Sequence, residues 1–212
     1  MPRILRLEAS KHVKGRILVF FQDKELVKLT EDEVLLWGLF AGQELSEEEY
    51  AALVQDGKLS SAKSAAARLC SSKLLSRGEL LQKLRDKGED PACAQQAADW
   101  LEELGVLDDS RYAASVARHY AARGYGRKKL EQEFFRRKIP RELWSQALEE
   151  LPDSAGTIDR LIAQRLSDPS DPKEVNRVQN FLLRRGFSWG EVREGLERYL
   201  ADLEWDTEAP PD

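Results

Sequence analysis

The sequence has few of the residues on which enzymes, metal sites and membrane proteins depend. It contains two cysteines, two histidines and one methionine in 212 residues. No stretch approaches the roughly 18 uninterrupted apolar residues of a membrane span, and the first residues lack the apolar run of a signal peptide. We therefore expect a cytoplasmic protein that does not enter a membrane.

The scarce reactive residues are also poorly placed for chemistry. Cys70 and Cys93 each stand among alanines in a helical pattern, which indicates reduced core thiols rather than a disulfide or a redox pair. His12 and His119 have no metal-ligand spacing to each other or to a cysteine. Phosphate-binding glycine loops and nucleophile elbows are missing. The sequence predicts no catalytic residue, no metal site and no cofactor.

One pair of adjacent carboxylates, Asp108 and Asp109, could in principle bind a metal or share a proton. The pair precedes a helical pattern, however. An acid at that position accepts hydrogen bonds from the free amides of the first turn and complements the positive end of the helix. We therefore interpret the pair as a helix start.

The net charge of -5 conceals a strong segregation of charge along the chain. Residues 30–60 hold eight acidic side chains and one basic one, whereas residues 111–141 hold ten arginines and lysines against two glutamates. Solubility alone does not require such an excess. Residues 204–212 carry four acids and no base, and we expect this tail to be disordered.

The first 29 residues have the pattern of strands, at residues 3–9, 16–21 and 25–29, and predict a small hairpin or three-stranded sheet that packs on helices. Helix starts follow along the rest of the chain. Asp90-Pro91 and Asp171-Pro172 have the form of a capping residue followed by proline. Four segments match the capping box, namely Thr30 to Glu33, Ser46 to Glu49, Ser76 to Glu79 and Ser188 to Glu191. A mainly helical body is predicted.

Three segments superpose when they are shifted by 50 and then by 48 residues. The matched positions are two apolar residues one turn apart and a third that ends the helix: Leu80, Leu84 and Gly88; Leu130, Phe134 and Lys138; Val178, Leu182 and Gly186. The next helix aligns without a gap, as Ala94, Ala98 and Leu101; Trp144, Leu148 and Leu151; Val192, Leu196 and Tyr199.

A further helix precedes each pair, at residues 62–74, 110–123 and 155–166. Short helices cannot bury an apolar stripe alone, so the pattern predicts three tandem three-helix repeats that stack into an elongated array. The predicted organisation is an N-terminal extension at 1–60, repeats at 61–108, 109–152 and 153–203, and the tail at 204–212.

Four motifs stand within the repeats and at their junctions: Ser76 to Gly88, Gly105 to Ala113 with its Asp-Asp pair, Gly124-Tyr125-Gly126 followed by Leu130, and Arg185-Gly186-Phe187 with Val192. Together these motifs resemble the RecX family of RecA regulators. The resemblance covers about two-thirds of the chain, and the N-terminal strands look like the extension of longer members. Lys138 stands where the family usually has glycine, although Pro140 still ends the helix nearby.

The basic second repeat, together with Arg184 and Arg185 of the third, supplies the candidate binding residues. On a helix from Arg127 to Lys138, the side chains of Lys128, Lys129 and Arg136 fall opposite the buried Leu130 and Phe134. Phe135 at the edge of the buried stripe and Tyr125 in the preceding turn can each supply an aromatic contact beside the charge or belong to the core. An ordinary solvated helix face is the competing interpretation. The predicted contact residues for a partner or DNA are Arg118, Arg123, Tyr125, Arg127, Lys128, Lys129, Arg136, Arg137, Arg184 and Arg185.

The resemblance implies a monomeric protein that is not an enzyme and that modulates the RecA recombinase negatively. Such a protein binds in the groove of the RecA–DNA filament and limits filament extension, recombination and ATP hydrolysis. Contact with single- or double-stranded DNA through the basic face fits this role. Two alternatives remain: a helical-repeat protein that binds DNA independently of RecA, and an adaptor for another protein in which the acidic residues 30–60 are the working surface.

Overall fold

The structure, a computed structural model, describes the backbone of residues 1–208 and the side chains of residues 1–201. The chain forms two compact units, residues 1–108 and residues 109–212. The described residues form a three-stranded sheet and a predominantly helical remainder, as predicted. The elements are β1 (Ile4–Ala9), β2 (Arg16–Phe21), β3 (Val27–Thr30), α1 (Glu31–Leu36), α2 (Glu47–Ser72), α3 (Arg77–Asp86), α4 (Pro91–Glu103), α5 (Asp109–Ala122), α6 (Arg127–Arg136), α7 (Trp144–Glu149), α8 (Ala155–Ala163), α9 (Pro172–Arg184) and α10 (Trp189–Glu208).

The N-terminal sheet is antiparallel in the order β1-β2-β3, with a bulge in β1 between Ile4 and Arg6. One face of the sheet is apolar because alternate residues of a strand point to the same side. Its core contains Ile4, Val19 and Leu29, all fully buried, together with Leu53 from α2. The sheet therefore packs on a helix, as a unit of this size requires.

Helix α2 joins the N-terminal extension to the first repeat. It is continuous from Glu47 to Ser72, so the boundary predicted between residues 60 and 61 falls inside it. Its first half contributes Leu53 to the core under the sheet. Its second half places Ala62 and Ala66 in a separate core with helices α3 and α4. Both cysteines are free thiols near this second core: Cys93 is buried in it and Cys70 packs half-buried against it.

The helix starts are those that the sequence predicts. Each of the four capping boxes forms, with the serine or threonine oxygen accepting from the third amide and the glutamate accepting from the cap amide. Asp90 accepts from the amides of Ala92 and Cys93, and Asp171 accepts from the amide of Lys173. Asp108 lies immediately before α5, which begins at Asp109. Short-range hydrogen bonding thus determines these helix starts.

The second unit contains the second repeat, α5 to α7, and the third repeat, α8 to α10. A short 3-10 helix, Arg141–Leu143, leads into α7. Each repeat has its own core: Phe134 is fully buried in the core of the second, and Leu182 is fully buried in the core of the third. The three sets of three helices predicted for the repeats are therefore all present within the described residues, with α2 supplying the first helix of the first set.

The three repeats end their second helix in the same backbone conformation. Gly88, Lys138 and Gly186 have positive φ angles of 78°, 54° and 93°. In each case the following amide donates to a carbonyl five residues earlier: Glu89 to Leu84 at 3.1 Å, Ile139 to Phe134 at 3.0 Å, and Phe187 to Leu182 at 3.3 Å. This pattern is the Schellman ending of a helix. Lys138 therefore adopts the left-handed conformation that glycine provides in the other two repeats.

The structure describes part of the acidic C-terminal segment for which we predict disorder. Helix α10 continues to Glu208, so the segment is helical from residue 204 to residue 208. Residues 209–212 of the predicted disordered tail lie outside the described residues. Among the helices that the structure describes, none is both long enough and apolar enough to cross a membrane.

Candidate partner-binding surface

Helix α6 presents basic and aromatic side chains on its solvent face. Leu130 and Phe134 are buried, as predicted, whereas Lys128 and Arg136 are exposed. Phe135 is 69% exposed, so of its two predicted roles the structure favours an aromatic contact beside the charge over a place in the core. At 100° per residue, Phe135 falls on the same side of the helix as Lys128. The solvent face of α6 is therefore a cationic surface with an exposed aromatic ring.

A buried glutamate neutralises part of this charge. Glu133 is 7% exposed, and its carboxylate lies 2.6 Å from Arg136, 3.8 Å from Lys129 and 3.7 Å from Arg137. Burial alone raises the pKa of Glu133, but hydrogen bonds from Arg136 and Tyr120 outweigh it and hold that pKa below 4.5. Lys129, Arg136 and Arg137 thus stabilise the buried carboxylate of Glu133. Lys128, on the solvent face of α6, forms no ion pair with Glu133.

Arg185 and Tyr125, which we predicted as contact residues, hold the second and third repeats together. The Nη1 atom of Arg185 donates to the carbonyl oxygens of Arg123 at 2.6 Å and Gly124 at 3.0 Å. Its guanidinium also lies 4.9 Å from the ring centroid of Tyr125 and 4.8 Å from that of Phe181. Both predicted residues are half-buried. Their side chains have a packing role, and we leave them out of the surface proposed below.

Backbone contacts lie beside Arg185. The amide of Gly126 donates to the carbonyl of Arg185 at 2.9 Å, and the amide of Lys128 donates to the carbonyl of Gly186 at 3.0 Å. A Cβ atom on Gly126 would lie 2.5 Å from the backbone nitrogen of Phe187, closer than real Cβ atoms come. We call these contacts between residues 126–128 and 185–187 the glycine seam. The seam fixes α6 against the third repeat within the second unit.

The remaining predicted residues are distributed over several elements. Arg118 and Arg123 are exposed on α5 and at its end, and Arg127 is exposed at the start of α6, where it pairs with Glu131 at 3.0 Å. Arg137 is half-buried and donates to the hydroxyl of Tyr112 at 2.5 Å. Arg184 is exposed at the end of α9. The predicted set is therefore not one continuous patch of equivalent side chains.

Arg184 belongs to a second basic groove that sequence reasoning missed. Arg165, Arg177 and Arg184 line a groove of about 540 Å³ together with Phe181, and the guanidinium of Arg165 lies 3.9 Å from the centroid of that ring. Arg177, Phe181 and Arg184 stand at i, i+4 and i+7 on one face of α9, a spacing that could have been detected. Arg165 follows α8, and only the tertiary fold brings it to the groove.

The acidic region at residues 30–60 has a largely local explanation. Six of its eight acids lie in the first turns of two helices, Glu31, Asp32 and Glu33 in α1 and Glu47, Glu48 and Glu49 in α2. Carboxylates are favourable there because the amides of a first turn are unpaired and the helix dipole is positive. Much of this negative charge is thus accounted for by helix starts rather than by a binding surface.

The described side chains offer no arrangement that could support metal chemistry. Within residues 1–201, no group of three or more His, Cys, Asp and Glu side chains is placed to hold a metal ion. Burial raises the pKa of both thiols, Cys70 and Cys93, which makes them less reactive at neutral pH. The fold and the surface together define a helical-repeat protein with a cationic face.

Comparison with known proteins identifies the family. The sequence matches three domains in order, described as "RecX, first three-helix domain" over residues 62–101, "RecX, second three-helix domain" over residues 108–148 and "RecX, third three-helix domain" over residues 162–196. These matches cover more than half of the chain. The protein belongs to the RecX family, as the sequence motifs predict.

Named relatives and solved structures agree with this assignment. The "Regulatory protein RecX" of Chromohalobacter salexigens is 32% identical over 62% of this chain and 88% of its own length. That of Leptothrix cholodnii is 35% identical over 62% of this chain and 83% of its own length. A crystal structure of a regulatory protein RecX superposes with a TM-score of 0.70 at 22% identity, covering 93% of this chain and all of the other. RecX from Lactobacillus salivarius gives a TM-score of 0.60 at 21% identity, over 67% of this chain and 96% of its own. At these identities the structural likeness concerns the fold.

Proposed function

We propose that this protein is a negative modulator of the RecA recombinase, not an enzyme, and that it binds in the groove of the RecA–DNA filament. There it limits filament extension, recombination and ATP hydrolysis. Membership of the RecX family supports the partner, since relatives carry the name of a regulatory protein. The observation that carries the proposal for this chain is the cationic solvent face of α6, with Lys128, Arg136 and the exposed Phe135.

Electrostatics supports a role for this face beside nucleic acid. A filament on DNA presents phosphates at high density, and cations that approach them release condensed counterions, which makes binding depend on salt. The basic groove of Arg165, Arg177 and Arg184 adds a second cationic surface within the same unit. We propose that both surfaces face the filament, with α6 making the principal contact.

The decisive experiment is a titration of DNA-dependent ATP hydrolysis by RecA with this protein. Lys128→Glu is the cleanest test because Lys129 and Arg136 also stabilise the buried Glu133, and reversing them would threaten the fold. We expect Lys128→Glu to raise the concentration for half-inhibition several-fold. We also expect it to lower the dependence of inhibition on salt, by about one unit of the log–log slope for one lost phosphate contact.

Lys14→Glu is the matched control. Lys14 is exposed in the turn between β1 and β2, outside α6 and outside the basic groove. The same change of charge there should leave inhibition within about twofold of the wild type. If both variants inhibit like the wild type while remaining folded, the assignment of the contact to α6 is wrong. If the wild type itself leaves RecA activity unchanged, the proposed function is wrong.

One observation favours a second candidate function, DNA binding that acts without RecA. Phe135 is an exposed aromatic ring among cations, and single-stranded nucleic acids use such rings as stacking platforms worth about 1–3 kcal/mol per base. The test is binding of a fluorescent oligothymidylate by the purified protein. Tight binding that Phe135→Ala weakens about tenfold and Phe135→Trp preserves, and that alone accounts for the effect on strand exchange, would favour this candidate.

A further inference from the structure

A cleft of about 400 Å³ lies within the second unit, between the second and third repeats. Its floor is apolar, and its rim carries Arg118 of α5, Arg127 of α6 and Arg160 of α8. The floor is formed by four side chains without polar atoms, the buried Leu130, Leu148 and Phe187 and the half-buried Leu151. The cleft combines a place for one bulky apolar group with cations around its entrance.

Two of the three arginines at the rim can form an ion pair with a ligand. Arg118 and Arg160 are exposed, and neither forms an ion pair with any side chain that the structure describes. Arg127 is paired with Glu131 at 3.0 Å. The helix starts beside the cleft already have partners, since the amide of Lys128 in α6 donates to the carbonyl of Gly186 at 3.0 Å and the amide of Ala155 in α8 donates to the carboxylate of Asp153 at 3.4 Å. The unpaired guanidinium groups favour carboxylates at the entrance.

The acids of the cleft argue against a nucleic-acid strand as its occupant. Asp153 and Glu191 lie among the arginines. Glu191 accepts from the hydroxyl of Ser154 at 2.7 Å and from the amide of Ser188 at 2.6 Å. Burial raises the pKa of Glu191, but these hydrogen bonds outweigh it and hold the pKa below 4.5, so Glu191 stays anionic at neutral pH. The negative charge of Glu191 would repel the continuous row of phosphates of a nucleic-acid strand. A peptide can instead place a neutral residue beside Glu191 and its acidic residues beside the arginines.

We propose that this cleft binds an acidic peptide segment of a protein partner, with one bulky apolar side chain on the floor and flanking carboxylates on Arg118 and Arg160. In this binding mode a buried apolar side chain of the peptide is surrounded by polar contacts at the rim of the cleft. The proposal concerns a site distinct from the solvent-facing Lys128 and Phe135 of α6, and it does not require the partner to be RecA.

The experiment uses the chain of 212 residues and a short fluorescein-labelled peptide with a central tryptophan flanked on both sides by aspartate and glutamate. Fluorescence anisotropy should show saturable binding that salt weakens. Replacing the tryptophan by alanine, or the acids by asparagine and glutamine, should weaken binding about tenfold. Arg118→Glu and Arg160→Glu should each weaken it about fivefold or more, because each variant replaces an attraction by a repulsion.

Two further variants separate the cleft from general effects. Ala122→Trp fills the cleft from an exposed position at the end of α5 and should abolish binding without disturbing a core. Arg68→Glu makes the same charge change at an exposed position of α2, in the first unit and not among the residues that line the cleft, and should leave binding within about twofold. The proposal is overturned if no peptide binds saturably, if the alanine peptide binds as well as the tryptophan peptide, or if only an oligothymidylate occupies the cleft. Inhibition of RecA by the same variants is measured in the separate ATP hydrolysis assay.

Discussion

The glycine seam gives a quantitative prediction about the second unit. Gly126 has φ -85° and ψ 171°, a conformation that alanine adopts without strain. Its difficulty is space, because an added Cβ would stand 2.5 Å from the nitrogen of Phe187 and 2.6 Å from the carbonyl of Gly186. These neighbours are backbone atoms and cannot rotate away. Gly126→Ala must therefore push residues 126–128 away from residues 185–187.

The cost follows from the hydrogen bonds that this separation breaks. Two backbone bonds cross the seam, and Arg185 adds two bonds to the carbonyls of Arg123 and Gly124. At about 0.5–1.5 kcal/mol each, the loss of all four would cost about 2–6 kcal/mol. Water can replace part of what is lost, so we expect Gly126→Ala to lower the free energy of unfolding by about 2–4 kcal/mol.

The assay is urea unfolding followed by circular dichroism and tryptophan fluorescence. With a slope of about 2 kcal/mol per molar urea, a loss of about 3 kcal/mol lowers the midpoint by about 1.5 M for the unit that carries the change. Gly156→Ala is the control, since Gly156 lies in α8 and a Cβ there meets nothing within 4 Å. It should gain up to about 0.5–1 kcal/mol from helix propensity. Equal midpoints for Gly126→Ala and the wild type would refute the reasoning that the seam is tight.

Two further changes test local features of the second repeat. Lys138→Gly should raise the free energy of unfolding by about 1 kcal/mol in the same urea assay, because Lys138 has a positive φ of 54° that costs a side-chain-bearing residue energy; a lower midpoint would show that the lysine side chain outweighs this strain. Glu133→Gln should lose about 1–2 kcal/mol at neutral pH by removing the carboxylate that three bases surround. Because the folded state lowers the pKa of Glu133, its stabilisation is present above pH 4.5 and is lost as the pH falls through the lowered folded pKa. The free energy of unfolding, measured from pH 7 to about pH 3, should therefore fall less steeply with pH for Glu133→Gln than for the wild type. Parallel pH dependences of the two proteins would contradict this account.

Local patterns predicted most of the secondary structure because they act over few residues. A capping box involves a side chain and an amide three positions apart, and all four predicted boxes form, including the one at Ser188. The repeat alignment also predicted that Lys138 ends a helix, although it stands where the other repeats have glycine. The Schellman hydrogen bonds and the buried residues on either side hold the lysine in this conformation.

Other features depend on tertiary contacts that the sequence does not contain in readable form. Helix α2 continues across residue 60, but its two halves belong to two different cores, so the repeat pattern alone places a boundary inside the helix. Deleting residues 1–60 to test the acidic region would therefore cut α2, and neutralising substitutions are the sounder test. Arg185 was assigned to a binding face by charge alone. Its hydrogen bonds reach residues 123 and 124, about 60 positions away, and no local pattern reveals them.

The three repeats show which positions are free to acquire a function. Their apolar positions and helix ends must satisfy the same packing and the same left-handed turn, so they vary little in character. Other positions differ both in character and in burial: the position of Phe135 is the exposed Arg85 in the first repeat, whereas in the third it is Leu183, which packs half-buried against the core. The position of the buried Glu133 is Lys83 in the first repeat and Phe181 in the third. The guanidinium groups of Arg165 and Arg185 stack on the ring of Phe181. One helix architecture thus supports a charged face with an internal counter-ion in the second repeat and an arginine groove in the third. Because the fold alone does not require either arrangement, we propose that the partner contact lies on these particular faces rather than on the array as a whole.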